Sequence, residues 1–237
     1  MNLHNKNIII TGASSGIGKC LLYDLIKEKA NVSFCGRSTD KMNLIENDLK
    51  HRGVDNYLSE TFCLTEHERI KSFISHAHER FGSIDIVVNC AGLNSARDAV
   101  EDIDLKDLEW MMSINFYAPL VVMQEAFKIM KENNTGLIVN ILSTACLYSN
   151  EGIGAYTASK AALDSLTKVF RKEARDNNIR VASIYPGGVN TSFRKNENNN
   201  YLSPESVSEA IVAHLKLNDE IALDEIVLRP MIEKNYS

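Results

Sequence analysis

The sequence lacks the features that define several protein classes. Its five cysteines, Cys20, Cys35, Cys63, Cys90 and Cys146, are odd in number, scattered and free of any C-x-x-C pair. That pattern argues against a disulfide framework and reads as the reduced, largely buried thiols of a cytosolic protein. No block of like charges occurs, and the formal net charge of -5 speaks against nucleic acid or an anionic membrane as the main partner. Long hydrophobic runs are also missing. The polar start, Met1 to Asn7, leads into only three isoleucines, too short for a signal-peptide core or a membrane span. With no internal repeat and no linker-like stretch, residues 1–237 read as one domain. The only biased segment is Arg194–Tyr201, RKNENNNY, expected to be a loop.

What is present suits a sizeable core: 44% of the 237 residues are hydrophobic and 24% charged. Short β-branched runs alternate with longer amphipathic stretches. Strands are expected at Asn7–Thr11, Asn31–Cys35, Ile84–Asn89, Gly136–Ile141, Arg180–Tyr185 and Glu225–Leu228, with a weaker one at Asn56–Cys63. Helices are expected at Ile17–Lys29, Asp40–Arg52, Glu66–Phe81, Leu105–Glu132, Ala155–Asn177 and Pro204–Lys216. Strands without polar alternation, each followed by a helix, predict a doubly wound α/β fold: a parallel sheet with helices on both faces.

The first strand runs into Thr11-Gly12-Ala13-Ser14-Ser15-Gly16-Ile17-Gly18 and then a helix. Glycines there let the chain turn tightly and let phosphate oxygens approach amides at the helix N-terminus. A tight turn alone could require glycine. The strand–turn–helix–strand context is what makes this a nucleotide site. At the end of the second strand, where NAD enzymes usually carry a carboxylate, stand Gly36, Arg37 and Ser38. A guanidinium pairs bidentately with a 2′-phosphate, which favours NADP(H) over NAD(H). The plainer alternative is a surface arginine followed by Asp40 as a helix cap.

Tyr156 and Lys160 are four apart in AYTASK and so share a helical face. An ammonium about 4 Å from a phenol contributes on the order of 4 kcal/mol at an effective dielectric near 20, enough to bring the phenol towards useful acid–base chemistry. Y-x-x-x-K is common by chance on helices. It gains weight from Ser143 at the end of the strand Leu137–Leu142, placed to hydrogen-bond a substrate oxygen. Asn115 lies among Trp110, Met111, Met112, Ile114 and Phe116, where a buried amide needs partners.

Together these residues resemble the short-chain dehydrogenase/reductase family in its shorter form. The resemblance rests on TGASSGIG, NCAG (Asn89–Gly92), SIN around Asn115, Ser143, YTASK and YPGGVNT (Tyr185–Thr191), and runs from Lys6 to about Leu215. It implies a seven-stranded Rossmann sheet. It also implies Tyr156 as proton donor or base, Lys160 lowering its pKa and holding the nicotinamide ribose, Ser143 positioning the carbonyl, and Asn115 anchoring a water. The cofactor residues implied are Gly12, Ser14, Ser15, Gly16, Ile17 and Gly18 at the phosphates, and Arg37 and Ser38 at the 2′-phosphate. Asn89, Ala91 and Gly92 would line the adenosine ribose, and Pro186, Gly187, Val189 and Thr191 would meet the nicotinamide. Homodimers or homotetramers built on the two long helices are implied as well.

Three departures stand out. Cys63 and Leu64 replace the aspartate often found near the adenine, Cys90 replaces an asparagine, and the ending EIVLRP lacks the glycines common in 3-oxoacyl carrier-protein reductases. The expected activity is hydride transfer between nicotinamide and a small carbonyl or alcohol. A 3-oxoacyl thioester reductase and a non-catalytic NADP-sensing or scaffold protein are the alternatives. The substrate pocket is expected from Asn94, Ser95, Ala145–Ser149 and the loop after Thr191, largely apolar through Leu147, Tyr148 and Phe193, with Arg194 and Lys195 in reach of a carboxylate.

Overall fold

The computed structural model describes residues 2–193 and 198–234. Among these residues seven strands and seven α-helices follow one another in the order β1 (Asn7–Thr11), α1 (Gly16–Lys27), β2 (Asn31–Gly36), α2 (Thr39–His51), β3 (Tyr57–Thr61), α3 (His67–Phe81), β4 (Ile86–Asn89), α4 (Leu105–Met112), α5 (Ala118–Asn133), β5 (Gly136–Ile141), α6 (Gly154–Arg175), β6 (Ile179–Pro186), α7 (Pro204–Leu215) and β7 (Glu225–Leu228). The strands form one sheet in the order β3-β2-β1-β4-β5-β6-β7, and every pairing is parallel. The strand order reverses between β1 and β4, and ligands of open α/β sheets bind at the carboxyl ends beside such a reversal.

The side-chain period of two explains the unbroken apolar strands. Ile8 and Ile10 face one helical layer with Leu21, Leu25, Met42, Ile45 and Ile211, while Ile9 faces the other with Phe73, Val122, Met130 and Leu163. Val87 and Ile138 likewise join the second layer, between neighbours that join the first. Both faces of the five central strands are buried, so neither tolerates polar alternation.

Two expected elements differ in an informative way. The single helix expected over Leu105–Glu132 is interrupted by one turn of π-helix, Ser113–Tyr117, with Asn115 at its centre. Asp40 is not the cap of α2: Ser38 holds that position, and Asp40 lies in the first turn, where a carboxylate meets the positive end of the helix dipole. The expected loop Arg194–Tyr201 falls partly outside the described residues. Its described end is tied down, with Asn190 Nδ2 donating to the Asn198 carbonyl at 2.7 Å.

Candidate active site

The turn after β1 is built by close approach. Gly12 has φ +74°, and a Cβ there would lie 2.6 Å from Ala91 Cα. Ala91 N donates to Thr11 Oγ1 at 3.2 Å, which fixes the loop after β4 against the turn. A Cβ on Gly18 would collide with the Gly12 carbonyl. The first turn of α1 carries no acidic residue, and its cap Ser15 makes no side-chain hydrogen bond, so its amides remain open to an anion.

That turn forms one end of a cleft of about 830 Å³ at the carboxyl edge of the sheet. Of the expected cofactor residues, Gly12, Ser14, Ser15, Gly16, Ile17, Gly18, Arg37, Ser38, Cys63, Leu64, Ala91, Gly92, Pro186, Gly187, Val189 and Thr191 all line it. Asn89 does not. Its side chain is turned into the core, where Nδ2 donates to Asn140 Oδ1 at 2.8 Å, so its part is to brace β4 against β5. Cys63 is held locally, its amide donating to Glu66 Oε1 at 3.0 Å. No room is left for a side chain on Gly36 at the end of β2: a Cβ would lie 2.8 Å from both Ser14 Cβ and Met42 Sδ.

Ser143, Tyr156 and Lys160 line the same cleft. Ser143 lies two residues past the end of β5, and its Oγ accepts from Ala145 N at 3.1 Å. Tyr156 is 8% exposed, packed in a cluster with Met111, Ala145 and Ala155, and its ring meets Phe193 edge-on at 5.7 Å. Lys160 is buried one turn on; Nζ donates to the Ile141 carbonyl at 2.8 Å, and burial pushes its pKa down to about 8. Gly92 makes this possible, since a Cβ there would lie 3.1 Å from Nζ.

Asn115 is fully buried behind the cleft and not in its wall. Its Oδ1 accepts from Leu93 N at 2.9 Å, and Nδ2 donates to Leu93 O at 2.8 Å and Ser159 Oγ at 2.9 Å. Ser159 Oγ in turn donates to the Tyr156 carbonyl at 2.8 Å. The π turn therefore aims one amide at both the loop after β4 and the first turn of α6. It bolts the cofactor side of the cleft to the catalytic helix.

At the far end Asn94, Ser95, Ala145 and Phe193 line the cleft as expected, whereas Cys146, Leu147, Tyr148 and Ser149 do not. Tyr148 instead lies under Arg229, 5.8 Å from ring centroid to guanidinium carbon. Arg194 and Lys195 lie outside the described residues. Nor is this end as apolar as the sequence predicts: Arg97, Glu151 and Glu233 join Trp110, Ile114, Ile153 and Tyr201 in its wall. Lys41 joins Arg37 in the cleft wall. Its spacing of four from Arg37 is a signal in the sequence; Glu233, brought in by the turn after β7, leaves none.

The fold and this cleft define a class: Rossmann-type oxidoreductases that take a dinucleotide at the sheet's carboxyl edge. The profile of the short chain dehydrogenase family matches residues 6–202, and the chain belongs to that family. It is similar to an oxidoreductase of Staphylococcus aureus named as uncharacterized, 29% identical over 232 residues that cover 97% of this chain and 99% of the relative. It superposes on an alcohol dehydrogenase from the archaeon Thermococcus sibiricus complexed with 5-hydroxy-NADP, with TM-score 0.88, 25% identity and 97% and 98% of the two chains covered. A closed form of serine dehydrogenase complexed with NADP+ gives TM-score 0.87, 25% identity and 97% coverage of each chain. No helix among the described residues is long and apolar enough to cross a membrane.

Proposed function

We propose that this protein is an NADP(H)-dependent oxidoreductase that interconverts a small carbonyl compound and its alcohol. The observation that carries the reading is the convergence of Ser143, Tyr156 and Lys160 on the cleft that begins at the glycine turn. The residues present fit the dinucleotide. The glycine cradle and open α1 amides suit a pyrophosphate, Arg37 with Lys41 suits a 2′-phosphate, and Cys63 and Leu64 supply a neutral wall for the base. When bound, the nicotinamide supplies or accepts the hydride.

The chain's own residues handle the proton. The Tyr156 hydroxyl gives its proton to the carbonyl oxygen in reduction and takes it back in oxidation, while Ser143 Oγ donates a hydrogen bond to the same oxygen and fixes it. Lys160 sits on the same helical face as Tyr156. Burial lowers its pKa, and its positive charge favours the phenolate form of Tyr156. Asn115 holds the two halves of this apparatus in register through Leu93 and Ser159.

Tyr156→Phe tests the assignment. The ring still packs among Met111, Ala145 and Phe193, but the transferable proton is gone. Turnover of a ketone panel is expected to fall by at least about a hundredfold with NADPH binding nearly intact, the usual scale of general acid–base catalysis. Activity within tenfold of the parent would sink the proposal.

A further inference from the structure

We infer that Glu233 is a cofactor contact, its carboxylate accepting a hydrogen bond from the carboxamide N–H of the nicotinamide. The inference rests on the reading above that the turn after β6 faces the nicotinamide.

The contact is created by the end of the chain. β7 finishes at Leu228, whose carbonyl accepts from Gly187 N at 2.7 Å, and the chain then reverses in a turn closed by Glu233 N donating to the Pro230 carbonyl at 3.0 Å. The reversal carries the Glu233 side chain back over β6. Oε1 accepts from Gly188 N at 2.7 Å, a contact spanning 45 positions of sequence. A Cβ on Gly187 would overlap Oε2, and one on Gly188 would lie 2.9 Å from Oε1 and 2.6 Å from the Tyr201 ring. The glycine pair is what admits the carboxylate.

Only half of that carboxylate is satisfied. Oε2 is shut off from solvent and has no hydrogen-bond partner among the described residues, although Glu233 belongs to the cleft wall with Pro186, Gly187 and Tyr201. A carboxylate oxygen withdrawn from water without a donor is costly, and a native structure that keeps one calls for a partner that arrives later. A primary carboxamide brings N–H donors and no charge, and it belongs to the part of the cofactor assigned to this turn. Because Oε2 is closed to solvent, the carboxylate has to turn about its hydrogen bond to Gly188 N to present Oε2 to the carboxamide, while Oε1 holds the turn in place.

The test is a binding cycle. Dissociation constants are measured for NADP+ and for its 3-acetylpyridine analogue, in which a methyl ketone keeps the carbonyl but removes both N–H donors. The parent, Glu233→Ala and Glu233→Gln are compared. The readout is the fluorescence of Trp110, the chain's one tryptophan, which lines the cleft. The parent should bind NADP+ roughly ten- to a hundredfold tighter than the analogue, the range for a hydrogen bond to a charged acceptor. Glu233→Ala should lose that discrimination, and Glu233→Gln, which keeps an acceptor oxygen, should retain part of it. Equal weakening of both ligands in Glu233→Ala would mean that Glu233 only braces the turn. Unchanged affinity for both would leave Oε2 to the substrate or to nothing. Either result overturns the inference, as does a parent that fails to discriminate. A parent that binds neither dinucleotide would remove the cofactor reading itself, a separate failure from that of Glu233.

Discussion

A single missing side chain shapes the phosphate end of the cleft. Gly36 is packed against Ser14 and Met42 so closely that an aspartate or glutamate could not replace it without moving the phosphate turn or the α2 core. The usual ribose-binding carboxylate is thus excluded sterically as well as absent, and Arg37, Ser38 and Lys41 are what remains at that corner. Arg37→Ala is expected to weaken NADPH binding by roughly 1.5–3 kcal/mol, the scale of a lost charge-assisted contact, while NADH, lacking the 2′-phosphate, hardly changes. Titration of parent and variant with both dinucleotides checks this. A parent that binds NADH as tightly as NADPH would contradict the preference. Residues of this kind are legible in sequence because their chemistry and their position in the motif coincide. Asn89 shows the opposite case: it stands within a motif at the cleft, yet its side chain turns into the core, where Nδ2 donates to Asn140 Oδ1.

At the scale of elements, pattern located the five central strands because burial on both faces leaves unbroken apolar runs, whereas the edge strands β3 and β7 are only partly buried and β3, YLSET, is accordingly the weaker expectation. What pattern could not show was the π turn. An extra residue in a helix leaves periodicity nearly unchanged over one turn, so Ser113–Tyr117 reads as ordinary helix although it rotates Asn115 inward. The glycine turn was legible, and its geometry sharpens the prediction. A Cβ on Gly18 meets the Gly12 carbonyl, a backbone atom that cannot rotate aside. Gly18→Ala should therefore push α1 away from the turn and lower dinucleotide affinity by tenfold or more, comparable to losing about one charged hydrogen bond. Its effect on Tm should be smaller than that of truncating Phe73, fully buried in the core beneath α3, for which a cost of about 3–5 kcal/mol is usual. Isothermal titration and thermal melts separate the two; unaltered affinity in Gly18→Ala would refute the close-packing argument.

The whole molecule poses the question of what covers α6. Its inward face is fully occupied: Ser159, Lys160, Leu163, Asp164 and Thr167 are buried against the sheet, α5 and the turn after β4. The small residues Ala158, Ala162 and Ser165, with Val169, follow one another at helical spacing on the opposite side. Ala158 and Ser165 are exposed and Val169 is 54% exposed, so this stripe does not pack on its own sheet. Tyr117, 45% exposed before α5, adds apolar surface to the same side of the sheet. Small side chains let a second helix approach closely, and a self-complementary patch on a rigid helix closes most simply about a two-fold axis. We therefore expect a homodimer or homotetramer in which α6 pairs with its copy. Light scattering at micromolar concentration should report a multiple of the chain mass, and a bulky charge placed in the stripe, Ala162→Glu, should shift the protein towards monomer while leaving dinucleotide affinity within about twofold, since the residue touches no part of the cleft. A parent that is monomeric, or an Ala162→Glu variant of undiminished size, would place the interface elsewhere or remove it.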